Sequence, residues 1–134
     1  QCIVLSVEAK QRGPGNWEAL TDNGRERTGV DVLQWVTEAE QLGVGEILVT
    51  SVDSEGTRGG FDQELFNAVR LTTSLPLIGC GGAGDSEHVI SGIRENQLDA
   101  VACASLFHYG TCSVFDLKSK IASAGISVRP EPEQ

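Results

Sequence analysis

Apolar residues along this chain follow two alternating patterns, short continuous runs and longer stretches with helical spacing. The first run, CIVLSVEA, is almost entirely apolar and rich in β-branched residues. This composition is typical of a strand buried on both faces of a parallel sheet. Similar runs predict four strands, at residues 2–9, 46–51, 75–79 and 99–104. Apolar residues at helical spacing predict a helix after each strand, at residues 31–42, 62–74, 86–96 and 113–124.

Two segments fall outside this alternation. Residues 10–28 are polar and rich in glycine, and Asn23-Gly24 is a hairpin-turn signal. Residues 17–21 are therefore expected to be one arm of a small excursion. In the second helix we expect Leu65, Val69 and either Leu71 or Thr72 to face inward. The tail, residues 129–134, is rich in Pro and Glu and is expected to be frayed.

The order of elements, strand then helix four times over, predicts parallel strands joined by right-handed crossovers. The sequence has 134 residues, and a complete (βα)8 barrel needs roughly 250. We therefore predict a single α/β domain over residues 1–134, built as four βα units of a TIM-type barrel. The alternative is a small open, doubly wound sheet of the flavodoxin type.

Charge and composition narrow the range of partners. The formal net charge is −9, which argues against nucleic acid and anionic membranes as partners. No apolar run approaches the 18 or so residues of a membrane span, and no secretory leader is evident. The four cysteines form no C-x-x-C pair, so we expect buried thiols in a reducing cytoplasm and no metal site.

Ligands of parallel α/β folds bind at the carboxyl ends of the strands. The loop Gly81-Gly82-Ala83-Gly84 lies at such an end and precedes a helix, an arrangement that favours phosphate binding. Ala104-Ser105 ends the next strand with small residues, so the two loops together predict a phosphate site. A tight turn is the alternative for the glycine run alone.

Carboxylates follow two other strands. Asp53 and Glu55 lie at or just beyond the second strand, and Glu8 ends the first. A carboxylate in this position can act as a general acid or base; the alternative is a solvated acidic loop or a chain emerging into water. His88 and His108 are interpreted as packed or capping side chains, with His88 exposed near the start of its helix.

Three segments carry a family resemblance: GEILVTSVDSEGTRGGFD (residues 45–62), PLIGCGGAG (76–84) and ASLFH (104–108). They resemble the cyclase subunit of imidazole glycerol phosphate synthase, and the match covers only the second half of that barrel. The resemblance implies a lyase that makes imidazole glycerol phosphate from a phosphorylated ribulosyl aminoimidazole intermediate and ammonia. It also implies a glutaminase partner that supplies the ammonia, and no metal or organic cofactor. The related isomerase of histidine synthesis is a more remote alternative.

The family's site residues carry over by position. Its two C-terminal-half aspartates fall on Glu55 and Glu8, where glutamate replaces aspartate. The family's catalytic acid of the sixth strand corresponds to Glu55, whereas its other catalytic aspartate, on the first strand, belongs to the half of the barrel that this chain does not match. Its phosphate-binding positions fall on small residues, and a substrate-facing threonine falls on Thr50. The phosphate positions are Gly56, Gly82, Ala104 and Ser105. Glu46, on the opposite face, matches a residue of the ammonia gate.

Half a barrel leaves two open sheet edges and an inner face unpaired. We therefore predict that the chain pairs with its own copy or with a missing N-terminal half to complete eight strands. A dimer would set Glu8 of one copy across the mouth from Glu55 of the other. Isolated, the half is expected to bind phosphate with weak or no turnover. The alternative is a non-catalytic structural module that self-associates.

Overall fold

The computed structural model describes residues 2–129, so the tail expected to be frayed lies outside the described residues except for Arg129. Among the described residues, six strands and five helices follow one another in the order β1, β2, β3, α1, β4, α2, β5, α3, β6, α4, α5. The strands are β1 Val4–Gly13, β2 Asn16–Thr21, β3 Glu26–Asp31, β4 Glu46–Ser51, β5 Leu77–Cys80 and β6 Ala100–Ala102. The helices are α1 Val32–Gln41, α2 Gln63–Thr72, α3 Ser86–Glu95, α4 Ser105–His108 and α5 Val114–Ser123.

Four of the strands are parallel and are ordered in space as they are along the chain. The sheet order is β3-β2-β1-β4-β5-β6, and β1, β4, β5 and β6 pair in parallel. Successive right-handed crossovers that never reverse direction place their helices on one side of the sheet. A flavodoxin-type sheet reverses its strand order, so that alternative is wrong. The fold is a partial TIM-type barrel, as the alternation of strands and helices predicts.

Burial alternates along the parallel strands and separates two faces of the sheet. In β4, Ile47, Val49 and Ser51 are fully buried, while Leu48 and Thr50 are half-buried. The buried side chains pack with those of the helices, including Val36, Leu65, Phe66, Val69 and Val89. The opposite face carries no packed layer in the part of the chain that the structure describes. We call it the open face; in a complete barrel it would line the interior.

The pairing register places four residues in one row across the top of the open face. Glu8 pairs with Thr50, Thr50 with Cys80, and Cys80 with Ala102. Partners in a parallel register point to the same side of a sheet. This row lies at the carboxyl ends of the strands, where ligands of such folds bind.

The polar segment at residues 10–28 is more ordered than the sequence pattern indicates. The first strand continues to Gly13, and β2 and β3 form an antiparallel extension of the sheet. Pairing between β1 and β2 begins at Glu8, so the extension covers the upper part of the β1 edge. The prediction of two fully open edges is therefore wrong for that part of β1.

A buried carboxylate holds this extension together. Glu18 is only 5% exposed, and it accepts hydrogen bonds from Arg12 Nε at 2.6 Å, Arg27 Nε at 3.0 Å and the backbone N–H of Gly29 at 2.8 Å. The hydrogen bond from Gly29, which outweighs the effect of burial, together with the two arginines lowers the pKa of Glu18. A buried carboxylate is tolerated because it is paired in this way.

Local signals set the helix boundaries well. Each of the four longer helices begins after an Asp or Ser whose side chain accepts a hydrogen bond from a backbone N–H three residues on. These N-cap residues are Asp31, Asp62, Asp85 and Ser113. Leu71 is 90% exposed and Thr72 half-buried, so the inward choice between them falls on Thr72. No helix among residues 2–129 is long and apolar enough to cross a bilayer.

Candidate functional site

A cavity of about 180 Å³ opens at the carboxyl ends of β4, β5 and β6. Three consecutive βα loops line it, each leaving the top of one parallel strand. The lining residues are Glu55, Gly56 and Arg58 after β4; Cys80, Gly81, Gly82 and Ala83 at the end of β5; and Ala102, Cys103, Ala104 and Ser105 at the end of β6. Most are small, so the loop backbone forms much of the wall.

Five of the site residues expected from the sequence meet in this cavity: Glu55, Gly56, Gly82, Ala104 and Ser105. Two others do not line it. Thr50 and Glu8 lie in the row across the open face, and Glu8 points toward the β2–β3 turn. Its carboxylate oxygen is 3.8 Å from the position that a Cβ on Gly24 would occupy. A single chain therefore assembles the Glu55 side of the site without Glu8.

Close backbone contacts lock the loop after β4 to the loop after β5. The N–H of Gly60 donates to the carbonyl oxygen of Gly82 at 2.9 Å. A Cβ on Gly82 would lie 2.0 Å from the Gly60 oxygen, and one on Gly84 would lie 2.4 Å from the Arg58 oxygen. Only glycine allows such an approach, and Gly82 also has a φ of 100°. The glycine run is therefore a packing requirement in its own right.

Asp53 anchors the same loop to β1. It accepts a hydrogen bond from the Gln11 backbone N–H at 2.8 Å and forms an ion pair with Lys10. Burial alone would raise the pKa of Asp53, but the hydrogen bonds from Lys10 and Gln11 outweigh it and lower the pKa. Asp53 thus has a structural partner, and Glu55 is the carboxylate that the loop presents to the cavity.

Two thiols, those of Cys80 and Cys103, share the cavity with Glu55. The expectation of buried thiols is wrong for Cys2, which is exposed. Burial, with smaller contributions from Cys80 and Glu55, raises the pKa of the Cys103 thiol to about 11. Cys103 is therefore protonated at neutral pH and is a poor nucleophile. No cluster of three or more His, Cys, Asp or Glu side chains with the arrangement of a metal site occurs among residues 2–129.

The two histidines have packing roles. His88 is half-buried rather than exposed, because its ring lies against the interlocked loops. Its Nδ1 accepts a hydrogen bond from the Gly84 N–H at 3.2 Å. His108 is exposed and packs edge-on against Tyr109, with ring centroids 5.1 Å apart. Neither histidine lines the cavity.

Arg58 is the charged cavity residue that the sequence reasoning missed. It lies in the loop after β4, and its guanidinium carbon is 5.1 Å from the centroid of the Tyr109 ring, just after α4. The available signal was an arginine within a glycine-rich loop that follows a parallel strand. The contact with Tyr109 could not be anticipated, because the two residues belong to different βα units.

Comparison with known families agrees with this architecture. The family model described as histidine biosynthesis protein matches residues 1–113. The match contains all six strands and helices α1–α4, and it ends at the N-cap residue of α5. It includes every residue that lines the cavity. The chain belongs to the histidine biosynthesis protein family.

Proposed function

We propose that the chain is the C-terminal half of a barrel enzyme that forms imidazole glycerol phosphate from a phosphorylated ribulosyl aminoimidazole intermediate and ammonia. The observation that carries this proposal is the cavity itself. Three consecutive βα loops bring Gly56, Gly82 and Ser105 together around Glu55. Membership of a histidine biosynthesis family supports the reaction class.

The cavity suits a phosphate group for physical reasons. Its walls are largely backbone and small side chains, so an anion can approach the peptide N–H groups closely. It lies at the carboxyl ends of adjacent strands, where TIM-type barrels commonly bind phosphate. In this proposal the phosphate sits among Gly56, Gly82, Ala104 and Ser105.

Glu55 is the proposed general acid–base residue. It is exposed to the cavity, and Asp53, two residues before it, is already held by Lys10 and Gln11. Glu8 is the proposed second acid, and it would reach the reaction only across a completed barrel. The proposed substrate side also includes Thr50, which lies beside Glu8 in the row at the top of the open face.

The open face supports completion of the barrel by a second half. Leu48 and Ile78 are neighbours in the register and are only half-buried on this face. The β1 edge below Glu8 has no strand partner within the described residues. We propose that the occupant is a second βα half, either another copy of this chain or an N-terminal half. A glutaminase would deliver ammonia at the opposite end, near Glu46.

Turnover tests the catalytic part of the proposal. The completed barrel, either the dimer or the chain supplied with an N-terminal half, is assayed with the intermediate and ammonia. Glu55→Gln should lower the rate at least about 100-fold, the usual contribution of a general acid or base. Glu64→Gln, an exposed position on α2, should leave it unchanged. An unchanged rate for Glu55→Gln would refute the assignment, and no turnover in any completed barrel would favour the non-catalytic module.

Light scattering after size-exclusion chromatography tests whether a second half completes the barrel. A particle of twice the 14.2 kDa chain mass supports self-pairing, and its displacement by an N-terminal half would make that half the preferred partner. A well-folded monomer that binds no N-terminal half would contradict completion. The phosphate site is tested separately, by titration with inorganic phosphate.

The informative variant for the phosphate titration is Ala104→Glu, because Ala104 is exposed and lines the cavity. The added carboxylate should abolish binding by charge repulsion. Ala122→Glu on the exposed side of α5 is the matched control. A substitution at Gly82 would not serve, since any Cβ there meets the Gly60 backbone.

A further inference from the structure

The charged side chains that line the cavity affect how strongly it can hold an anionic ligand. Among the described residues that line it, Glu55 is the acidic side chain and Arg58 the cationic one. Glu55 and Arg58 form no ion pair with each other in the part of the chain that the structure describes. A doubly charged phosphate beside Glu55 alone would experience repulsion, which a nearby cation would offset.

The backbone of Arg58 is held in a fixed position. Its φ is 56°, in the left-handed region that few non-glycine residues adopt. Gly84 packs so closely that a Cβ on it would lie 2.4 Å from the Arg58 carbonyl oxygen. Thr57 braces the same turn, donating to the Ser54 carbonyl oxygen at 2.8 Å and accepting from the Gly59 N–H at 3.2 Å. Arg58 therefore lines the cavity from a constrained turn.

The aromatic ring of Tyr109 lies beside the guanidinium of Arg58. Tyr109 is 65% exposed, and its ring centroid lies 5.1 Å from the guanidinium carbon of Arg58. This distance is within the range of a cation–π contact. Such a contact restrains the long arginine side chain, and the contact itself uses none of the N–H donors of that side chain. Arginine can offer these donors to a phosphate as a paired fork.

We propose that Arg58 is the phosphate-binding cation of this cavity and that Tyr109 is its positioning residue, joining the loops after β4 and β6 over the mouth. The inference rests on the proposed function, because it assumes that the cavity binds phosphate. It adds two residues to the glycine loops and assigns them charge neutralisation and orientation. The ligand class is a phosphate monoester dianion.

Titration with inorganic phosphate, at constant ionic strength, tests this assignment on the intact chain. Arg58→Ala should weaken binding at least about tenfold, the scale of one lost charge-assisted hydrogen bond. Arg58→Lys should recover part of the loss, since it restores the charge without the fork. Arg25→Ala, which removes the same charge from the β2–β3 turn outside the cavity, should leave binding unchanged.

Tyr109 provides the second, independent test. Tyr109→Phe keeps the ring and should bind phosphate as the parent chain does. Tyr109→Leu should weaken binding by about threefold or more, because the guanidinium is no longer restrained. In the Arg58→Ala background, Tyr109→Leu should have no further effect, since the ring acts through the arginine. A Tyr109→Leu effect that persists without Arg58 would overturn the positioning role.

The outcomes separate this inference from the proposed function. If Ala104→Glu leaves phosphate binding unchanged, the cavity is not the phosphate site and the proposed function fails. If Ala104→Glu abolishes binding but Arg58→Ala has no effect, only the role of Arg58 is overturned. Melting temperatures identify any unfolded variant. If Arg58→Ala does not fold, the comparison of Arg58→Lys with the two Tyr109 variants decides whether Arg58 binds the phosphate.

Discussion

Three glycines in the site allow the contact between its loops to be measured by substitution with alanine. At Gly56 the φ is 74° and a Cβ would meet nothing within 4 Å, so alanine adds backbone strain alone. At Gly84 no left-handed φ is involved, but a Cβ would lie 2.4 Å from the Arg58 oxygen, so alanine adds a clash alone. At Gly82 a φ of 100° and a contact of 2.0 Å with the Gly60 oxygen combine both effects.

The expected losses of unfolding free energy follow from these contacts. A left-handed alanine costs about 1–2 kcal/mol, which is the expectation for Gly56→Ala. Overpacking costs about 1–3 kcal/mol, which is the expectation for Gly84→Ala. Gly82→Ala should then lose about 2–5 kcal/mol, toward the upper end because the atom it meets is backbone and cannot rotate away. A domain of this kind is stable by about 5–15 kcal/mol in total.

Urea denaturation, monitored by circular dichroism, measures the three losses of unfolding free energy on one scale. Equal slopes against urea would show that the variants unfold in the same transition, so their midpoints can be compared. The predicted order of stability is Gly56→Ala above Gly82→Ala, with Gly84→Ala also below the parent chain. Equal losses for Gly56→Ala and Gly82→Ala, or no loss for Gly84→Ala, would refute the close packing of the loops.

Two further predictions concern ionisable groups. The hydrogen bond from Gly29 helps to lower the pKa of Glu18 below its ordinary 4.5. The ionised Glu18 carboxylate therefore stabilises the fold fully above pH 4.5, and this stabilisation is lost as the pH falls through the lowered pKa. Urea midpoints should therefore fall less between pH 6 and pH 3 in Glu18→Gln than in the parent; equal falls would contradict this. The Cys103 thiol, with its pKa raised from 9.0 to about 11, should react with iodoacetamide about 100-fold more slowly than exposed Cys2 at pH 8, as measured by mass spectrometry. Comparable rates would contradict the burial of Cys103.

Much of the fold could be predicted because its signals are local. Apolar runs and helical spacing depend on neighbouring residues, so the order of the four βα units follows from the sequence. The N-cap residues Asp31, Asp62 and Ser113 act within one helical turn. The glycine loop and Ala104-Ser105 could be placed near one another because parallel strands end on the same side of a sheet.

The remaining features depend on contacts between distant parts of the chain. The polar segment after β1 forms two paired strands because Glu18 gathers Arg12, Arg27 and the Gly29 N–H around one buried carboxylate. No periodic pattern of residues predicts that cluster.

The sequence by itself determined the succession of strands and helices, because periodicity and capping act over a few residues. Only the tertiary structure decided that Glu8 lies apart from the cavity, that Gly82 is required by the Gly60 backbone, and that Arg58 meets Tyr109. These are distances between separate βα units. They are set by how the strands pair and how closely the loops pack, which no local pattern of residues contains.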